Sequence, residues 1–475
     1  MSSEKTRRDF LKLSACGVMA STVEVAAALP GSPAPEPQPG EITVRVTGGN
    51  KRYEAQPLLA WKSGAGTGNV IELNPAKKFQ EMLGFGAAFT DAACYTFNRL
   101  DAPVREELFH ELFHPSEMGL NVCRTCIGSS DYSTEVFSYN EGDPDPEMKR
   151  FSIAHDQPYV LPMLRQARKQ NPDLFLFSSP WSPPGWMKAG SSMLGGSMRQ
   201  HNFAPYALYF EKFLQAYAAE GVPIQAVTVQ NEVDTDQDGR MPACLWGQEY
   251  EMGFVKNYLG PALEKNGLST KIWILDHNYN LWGRAVAELD DPAVRKYCNS
   301  VAFHGYVGTP DQMSRFHAAC PDVSLHWTEG GPDYTAPDYA TEWANWGQTF
   351  TQAIRNWCRS VTGWNLALDE KGRPNIGPFP CGGMVTIHSQ TKEITKSGQY
   401  WAFAHFSRNV RRGANRFEST GDMKGIEHVA FENPDGQRVL VVSNSGDSTT
   451  ITLKQASKIV ELPIPASSII TIMWT

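Results

Sequence analysis

Residues 205–232 read PYALYFEKFLQAYAAEGVPIQAVTVQNE. This stretch contains a helix-like segment followed by a short apolar run, a pair that recurs along the body of the chain. Over 205–219 the apolar and aromatic side chains recur at helical spacing, which predicts a helix packed on a core. A short apolar run, Ile224–Val229, follows and leads into Asn231-Glu232. The spacing therefore predicts a helix, then a buried strand whose C-terminal end carries polar side chains.

The same alternation of short apolar runs and longer amphipathic segments continues along the chain. Eight runs are present: Met82–Phe89, Gly119–Ile127, Leu174–Ser179, Ile224–Val229, Lys271–Leu275, Val301–His304, Val323–Thr328 and Val361–Leu368. Helix-like segments separate or follow them at 103–113, 158–170, 205–219, 247–265, 281–299, 311–319, 339–359 and 397–408. This order predicts an α/β fold, a (β/α)8 TIM barrel over residues 79–410. A doubly wound open sheet is the alternative, but no glycine-rich phosphate loop supports it.

Both flanks of this region have a different pattern. Residues 41–78 and 411–475 alternate apolar and polar positions between turn residues, as in Val439–Asn444. Asn433-Pro434-Asp435-Gly436 is a turn signal between two strand-like runs. We expect the flanks to form one small antiparallel β-sandwich, fused to the barrel and built from both ends of the chain.

The N-terminus has the pattern of an export signal. Arg7-Arg8-Asp9-Phe10-Leu11-Lys12 is a twin-arginine motif, an apolar stretch covers Leu13–Val23, and Ala26-Ala27-Ala28 offers a cleavage site. We interpret 1–28 as a twin-arginine signal peptide and 29–40 as a proline-rich linker. The expected partner is the twin-arginine export machinery, and the expected location is the periplasm or the exterior of the cell.

Composition excludes several classes of function. The chain has 43 Lys and Arg against 51 Asp and Glu, so a net charge of −8 argues against a nucleic-acid partner. No later segment is apolar for long enough to form a transmembrane segment. The nine cysteines show no disulfide framework. Cys123 and Cys126 lie in a strand-like run where residues three apart face opposite sides, so we expect buried free thiols rather than a shared metal.

Polar side chains at the predicted strand ends carry the functional hypothesis, because active residues of TIM barrels lie at the C-terminal ends of the strands. Glu232 ends the fourth run and Glu329 follows the seventh. Asp276-His277-Asn278 and His304-Gly305-Tyr306 end the fifth and sixth runs. Two carboxylates at one mouth suit glycoside hydrolysis, where one protonates the leaving oxygen and the other attacks the sugar or activates water. This chemistry needs no cofactor and no metal.

Several of these segments closely resemble glycoside hydrolase family 30, the glucosylceramidase group. They are Gly84–Asp91, Ser178–Lys188, Val227–Glu232 and Trp364–Leu368. The resemblance runs from about Gln80 to Phe406 and also implies the flanking β-sandwich. It implies a retaining, double-displacement β-glucosidase of the glucosylceramidase type acting on a β-glucoside or β-glucan. An endo-β-1,6-glucanase and a β-xylosidase of the same family are the alternatives.

The resemblance also implies a role for each matching residue. Glu232 is the expected acid/base and Glu329 the expected nucleophile. The implied substrate-binding residues are Asn231 at the sugar 2-hydroxyl, Asp131 at the far edge of the ring, Trp181 and Trp364 along the pocket, and Arg124 and Tyr306 beside the nucleophile. The family often has Pro after its Asn-Glu pair, whereas this chain has Val233 and then an acidic loop, 234–240. This departure leaves the leaving-group preference open.

Two other functions compete with this hypothesis. His110-Glu111-Leu112-Phe113-His114 matches the H-E-x-x-H pattern of zinc peptidases. Pro115 ends that helix at once, and the segment leads to the bottom of the barrel, away from the predicted mouth. A non-catalytic carbohydrate-binding protein would keep the tryptophans but would not need both Glu232 and Glu329.

Overall fold

The computed structural model describes residues 41–475, whose strands and helices we number along the chain. The predicted signal peptide, 1–28, and linker, 29–40, lie outside the described residues. The first strands are β1 (Glu41–Gly48), β2 (Lys51–Ala55), β3 (Leu59–Ala60), β4 (Lys62–Ser63) and β5 (Asn69–Glu81). Together with strands from the C-terminal part of the chain they form a sandwich beside a closed barrel.

Eight parallel strands close the barrel, which confirms the predicted fold. They are β6 (Gly84–Phe89), β7 (Val122–Cys126), β8 (Phe175–Ser179), β9 (Ala226–Thr228), β10 (Lys271–Asn278), β11 (Cys298–His304), β12 (Ser324–Glu329) and β13 (Cys358–Asn365). Their residues are almost all buried because helices cover the outside and side chains fill the inside. At Gly86 a Cβ atom would lie 2.0 Å from the Val122 carbonyl oxygen of the neighbouring strand, so β6 and β7 can approach closely only with glycine there.

Alternation along β7 shows how the barrel interior is built. Val122 and Cys126 pack in clusters inside the barrel, whereas Cys123 packs in the main core between barrel and helices. Successive side chains of a strand face opposite sides, so Arg124 shares the inner face with Val122 and Cys126. The two thiols therefore lie on opposite faces of the strand.

The helices lie around the barrel. They are α1 (Asp91–Asn98), α2 (Ala102–Phe113), α3 (Val160–Gln170), α4 (Phe203–Ala219), α5 (Gln248–Phe254), α6 (Gly260–Lys265), α7 (Trp282–Leu289), α8 (Pro292–Arg295), α9 (Asp311–Ala319), α10 (Trp343–Arg355) and α11 (Gly398–Ser407). A π-helical turn, Val255–Leu259, joins α5 to α6. The helix expected over 281–299 is wrong in extent: it divides into α7 and α8, and β11 already begins at Cys298.

The remaining strands follow the barrel. A small sheet contains β14 (Ala367–Leu368), β15 (Val385–Ile387) and β16 (Ile394–Lys396), and the sandwich is completed by β17 (Asn415–Thr420), β18 (Ile426–Glu432), β19 (Arg438–Asn444), β20 (Thr449–Gln455), β21 (Lys458–Ile464) and β22 (Ser468–Trp474). One layer has the order β2-β1-β22-β19-β18-β17-β5, and β5 continues into the second layer, β20-β21-β4. Strands from both chain ends thus share one sheet.

Strand β19 is buried on both faces, and its two faces serve different cores. Leu440 and Val442 pack inside the sandwich. Val439 and Val441 belong instead to the large core of the barrel and its helices. This explains the continuous apolar run Val439–Val442, which a half-exposed strand would not have. The sandwich therefore packs directly on the helical layer, and the two domains share a hydrophobic interface.

None of the helices within residues 41–475 is both long enough and apolar enough to cross a bilayer.

Candidate active site

A cavity of about 550 Å3 opens at the C-terminal ends of the barrel strands. Of the eight predicted site residues, seven line it: Asp131, Trp181, Asn231, Glu232, Tyr306, Glu329 and Trp364. The eighth, Arg124, is fully buried and contacts the cavity residues from behind. The structure thus brings all eight predicted residues together.

Glu329 ends β12 and is held at both carboxylate oxygens. Arg124 Nη1 donates to its Oε2 in a buried ion pair. The Tyr306 hydroxyl donates to Oε1 at 3.1 Å. Both contacts fix the orientation of the carboxylate at the cavity floor.

Glu232 follows β9 in a left-handed backbone conformation, with φ of 56°. Its amide donates to the Asp276 carbonyl oxygen at 3.0 Å, which anchors this strained turn to the neighbouring strand. One side-chain oxygen of Glu232 and one of Glu329 lie within 4.8 Å of each other, and a ring nitrogen of His304 lies within 4.8 Å of both. The two carboxylates therefore face the same small volume of the cavity.

Asp276, at the end of β10, is the buried counter-ion beneath the cavity. Its carboxylate accepts hydrogen bonds from five side chains: Arg124 at 2.8 Å, Ser179 at 2.7 Å, Thr228 at 2.7 Å, Thr328 at 2.7 Å and His304 at 3.1 Å. Burial opposes its charge, but Arg124 and His304 outweigh burial and hold the pKa of Asp276 well below its usual range. Arg124 is also fixed through Nη2, which donates to Asn231 Oδ1 at 2.6 Å.

We predict that Asp276→Asn destabilises the protein by about 3 kcal/mol, because it leaves Arg124 and His304 without part of their buried counter-charge. Urea denaturation monitored by tryptophan fluorescence would measure the change. Asp422→Asn, at an exposed position, is the matched control and should leave the unfolding midpoint unchanged. Equal unfolding free energies for Asp276→Asn and the unaltered protein would contradict a role for Asp276 as counter-ion.

Two histidines flank the carboxyl group of Glu232. His304 Nδ1 lies 3.4 Å and His277 Nε2 3.5 Å from the same oxygen, Oε1. Burial opposes protonation of His304, but Glu329, Asp276 and Glu232 outweigh it and raise its pKa to about 9. Burial likewise opposes ionisation of Glu232, yet the contacts with both histidines lower the pKa of Glu232. The contacts of this cluster therefore favour an ionised Glu232 beside a protonated His304.

Asp131 lies on the other side of the cavity, in the loop that follows β7. Its carbonyl oxygen accepts hydrogen bonds from the amides of Ile376 and Gly377, which fixes the backbone. Its side chain is 4% exposed, and Oδ1 has no hydrogen-bond partner in the protein. Burial, with Glu329 and Glu232 nearby, raises its pKa well above the usual value. A buried carboxyl oxygen without a partner is costly, so this atom is suited to a ligand hydroxyl.

Trp181 and Trp364 stack on each other at 5.0 Å between ring centroids. Both are 2% exposed, and the Arg124 guanidinium lies 4.6 Å from the Trp181 ring centroid. The pair thus forms a rigid apolar wall that touches the cavity beside the nucleophile candidate Glu329. Such a wall can contact the C–H face of a sugar ring.

Four further residues belong to the site although no role was predicted for them from the sequence: Asp276, His277, His304 and Gln237. The first three were noted at strand ends, and this position was the signal that could have identified them. Gln237 lies in the acidic loop, where its amide donates to Glu232 Oε2 at 2.7 Å. Nothing in the local sequence distinguishes Gln237 from its polar neighbours.

The zinc-peptidase pattern does not build a site in this fold. His110, on α2, and His114, the residue after the end of α2, stack with 4.4 Å between ring centroids. Glu111, however, is bound to Lys396 and to the Tyr400 hydroxyl. Within residues 41–475, the one group of His, Cys, Asp and Glu with spacing for a metal ion is Glu232, His304 and Glu329. Arg124 already pairs with Glu329 there, and its positive charge opposes binding of a cation.

Comparison with known proteins identifies both domains. Residues 82–410 match the model of the glycosyl hydrolase family 30 TIM-barrel domain, and residues 413–472 match that of the family 30 β-sandwich domain. The solved structure of the endo-beta1,6-glucanase BT3312 superposes with a TM-score of 0.84 and is 29% identical, covering 92% of this chain and 99% of that one.

Two curated proteins illustrate the range of similar sequences. An endo-1,6-beta-D-glucanase of Neurospora crassa is 32% identical over 86% of this chain and 89% of its own length. The lysosomal acid glucosylceramidase of Mus musculus is 30% identical over 86% of this chain and 84% of its own length.

Proposed function

The chain belongs to glycosyl hydrolase family 30 and is a glycoside hydrolase, and from this premise we propose that it cleaves β-1,6-linked glucan with retention of configuration at the anomeric carbon. The observation that carries the proposal is the pair of carboxylates at the cavity floor, Glu232 and Glu329. Similarity to endo-1,6-glucanases over most of the chain favours glucan among the β-glucosidic substrates.

The separation of the two carboxylates supports retention. Retaining glycosidases place the two groups about 5–5.5 Å apart, whereas inverting enzymes need about 6.5–9.5 Å to admit a water molecule between carboxylate and sugar. In this site an oxygen of Glu232 and an oxygen of Glu329 lie within 4.8 Å. Carboxylate oxygens this close together favour the retaining arrangement.

In the proposed mechanism, Glu329 attacks the anomeric carbon while Glu232 protonates the departing glycosidic oxygen. The covalent glycosyl–Glu329 ester is then hydrolysed by water that Glu232 deprotonates. Arg124 and Tyr306 orient Glu329 for attack. Glu232 must carry its proton for the first step, and since His277 and His304 lower its pKa, we expect the highest activity at acid pH.

The far wall of the cavity supplies contacts for the sugar that is transferred. Asp131 offers a buried carboxyl oxygen without a protein partner, which suits a sugar hydroxyl. Asn231 is fixed by Arg124 beside the nucleophile, where it can donate its amide hydrogens to the 2-hydroxyl. The stacked pair Trp181 and Trp364 provides the apolar surface. These groups fit a pyranose ring in a defined orientation.

The leaving-group side of the cavity, next to Glu232, is polar. Its lining includes Asp234, Thr235, Gln237, His277, Asn278 and Asn280. Side chains of this kind form hydrogen bonds with a second sugar but leave polar groups unpaired against a lipid chain, which is unfavourable. The polarity of this side therefore supports a glucan rather than a glycolipid.

Glucosylceramide is the second candidate substrate, since one feature of the rim favours it. Tyr306, Val307 and Phe379 line the cavity mouth and are 48%, 51% and 38% exposed. Exposed apolar side chains beside a binding site can contact a lipid. The similarity to the mouse lysosomal acid glucosylceramidase points in the same direction.

A substrate panel would distinguish these candidates. We expect the purified enzyme to depolymerise β-1,6-glucan and to cleave an aryl β-glucoside, with the β-anomer appearing first by proton NMR. Glucosylceramide in detergent micelles and an aryl β-xyloside, which tests the β-xylosidase alternative, should react at least about tenfold more slowly in kcat/KM, a difference of about 1.4 kcal/mol in transition-state binding. Faster cleavage of glucosylceramide than of glucan would overturn the substrate proposal, and an initial α-anomer would overturn retention.

We also propose that the enzyme acts outside the cytoplasm. The twin-arginine motif Arg7-Arg8 and the apolar stretch after it support export, and a polymeric glucan is a substrate that a cell meets outside its membrane.

A further inference from the structure

His277 connects the proposed acid/base to the loop that borders the leaving-group side. The ring lies at the end of β10 and is buried, with 7% of its side chain exposed. Its Nε2 lies 3.5 Å from Glu232 Oε1, and its Nδ1 lies 2.5 Å from Asp234 Oδ1. The imidazole thus lies between two carboxylates, one inside the catalytic site and one in the loop 234–240, at distances that allow an ion pair with each.

A local irregularity of β10 places His277 in this position. Leu275 and Asp276 adopt φ of 73° and 46°, and the pairing with β11 shifts register between Leu275 and His277. In a regular strand Asp276 and His277 would face opposite sides, but a bulge turns consecutive side chains towards one side. Asp276 therefore reaches Arg124 while His277 reaches Glu232.

We propose that Asp234 and His277 form a positioning dyad that holds Glu232 for proton transfer and sets the pH range in which it acts as an acid. This inference rests on the acid/base role proposed for Glu232. His277 touches Glu232 rather than the sugar ring, and Asp234 acts only through His277. Through this dyad, the acidity of Glu232 depends on the loop 234–240, which borders the leaving-group side of the cavity.

The charges around His277 support this role. Burial opposes its protonation, but Asp234 and Glu232 outweigh burial and raise the pKa of His277. His304, with its ring centroid 5.8 Å away, is the other titratable group facing it and opposes its charge. Arg284, on α7, acts on Asp234, whose pKa the contact with His277 lowers. A protonated His277 favours the ionised form of Glu232, so loss of that charge allows Glu232 to keep its proton at higher pH.

The test is the pH dependence of kcat/KM for Asp234→Asn and His277→Gln. Both substitutions remove or weaken the positive charge beside Glu232. We therefore expect the alkaline limb of the pH profile, where kcat/KM falls as pH rises, to move to higher pH by about one unit. The double variant should move the limb no further than His277→Gln alone, because Asp234 acts through His277. Asp238→Asn removes the same charge from the same loop at a position that is 85% exposed, and it should leave the limb in place.

The substrate for this test is whichever aryl β-glycoside the unaltered enzyme cleaves, so rejection of β-1,6-glucan would refute the substrate proposal and leave the dyad testable. A structural role alone would lower kcat/KM equally at every pH. That outcome, or a limb that moves to lower pH, would overturn the dyad. Asp234 is 42% exposed, so Asp234→Asn should fold even if His277→Gln does not.

Discussion

Replacement of Glu329 by Ala is expected to reduce hydrolysis of every substrate by about four orders of magnitude or more, the scale seen when a hydrolase loses its nucleophile. The physical reason is that Glu329 supplies the atom that bonds to the anomeric carbon, and a neutral water molecule in its place is a much weaker nucleophile. Initial rates with an aryl β-glucoside would measure the loss, with the unaltered enzyme as reference.

Azide provides the complementary measurement. In Glu329→Ala the missing side chain leaves space at the face of the sugar that Glu329 attacks, next to the positive charge of Arg124. A small anion can enter this space, attack the anomeric carbon and displace the aryl group, so activity should return in part. The product should be the α-glycosyl azide. Formation of the β-glycosyl azide would show that Glu329 is not the nucleophile.

Replacement of Glu232 by Gln is expected to slow cleavage of β-1,6-glucan by about 100-fold to 10,000-fold, the usual contribution of general acid catalysis. A sugar alkoxide leaves poorly without a proton, and Gln cannot supply one. A dinitrophenyl β-glucoside needs little protonation, so its first step should be nearly unaffected and glycosyl-enzyme should accumulate. Rapid-mixing measurement of the released phenolate would separate this first step from hydrolysis of the intermediate.

The contrast between the two substrates is the decisive feature of this prediction. An equal loss on glucan and on the dinitrophenyl glucoside would contradict the acid/base role of Glu232. Gln237→Ala serves as a control because its side chain donates to Glu232 without supplying a proton to the substrate. Its effect should be smaller than that of Glu232→Gln on the glucan.

Sequence periodicity was sufficient to predict the barrel and the sandwich, because buried strands and amphipathic helices alternate in a regular way. It missed α1, Asp91–Asn98, which is buried on almost every side and therefore has no polar face to reveal a helical period. It also extended one helix through residue 299, although Asp291 caps the separate short helix α8 and a strand begins at Cys298.

The candidate site was predictable where one residue at a strand end was enough. Glu329 ends β12 and Glu232 lies in the loop just after β9, and their meeting at one mouth follows from the closure of the barrel. The partners of these carboxylates depend on departures from regular geometry. His277 reaches Glu232 only because β10 has a bulge at Leu275–Asp276, and a strand pattern of period two would place Asp276 and His277 on opposite faces.

The pairing of β1 with β22 has a consequence for the order of folding. These strands, Glu41–Gly48 and Ser468–Trp474, lie side by side in the sheet that covers α10 and α11. The whole barrel lies between them in the chain, so β1 cannot find its partner until every barrel strand has been synthesised. Contacts between residues so far apart in sequence form slowly, because a long loop must close first. We therefore expect this sheet to close late in folding, after the barrel and its helices have begun to assemble.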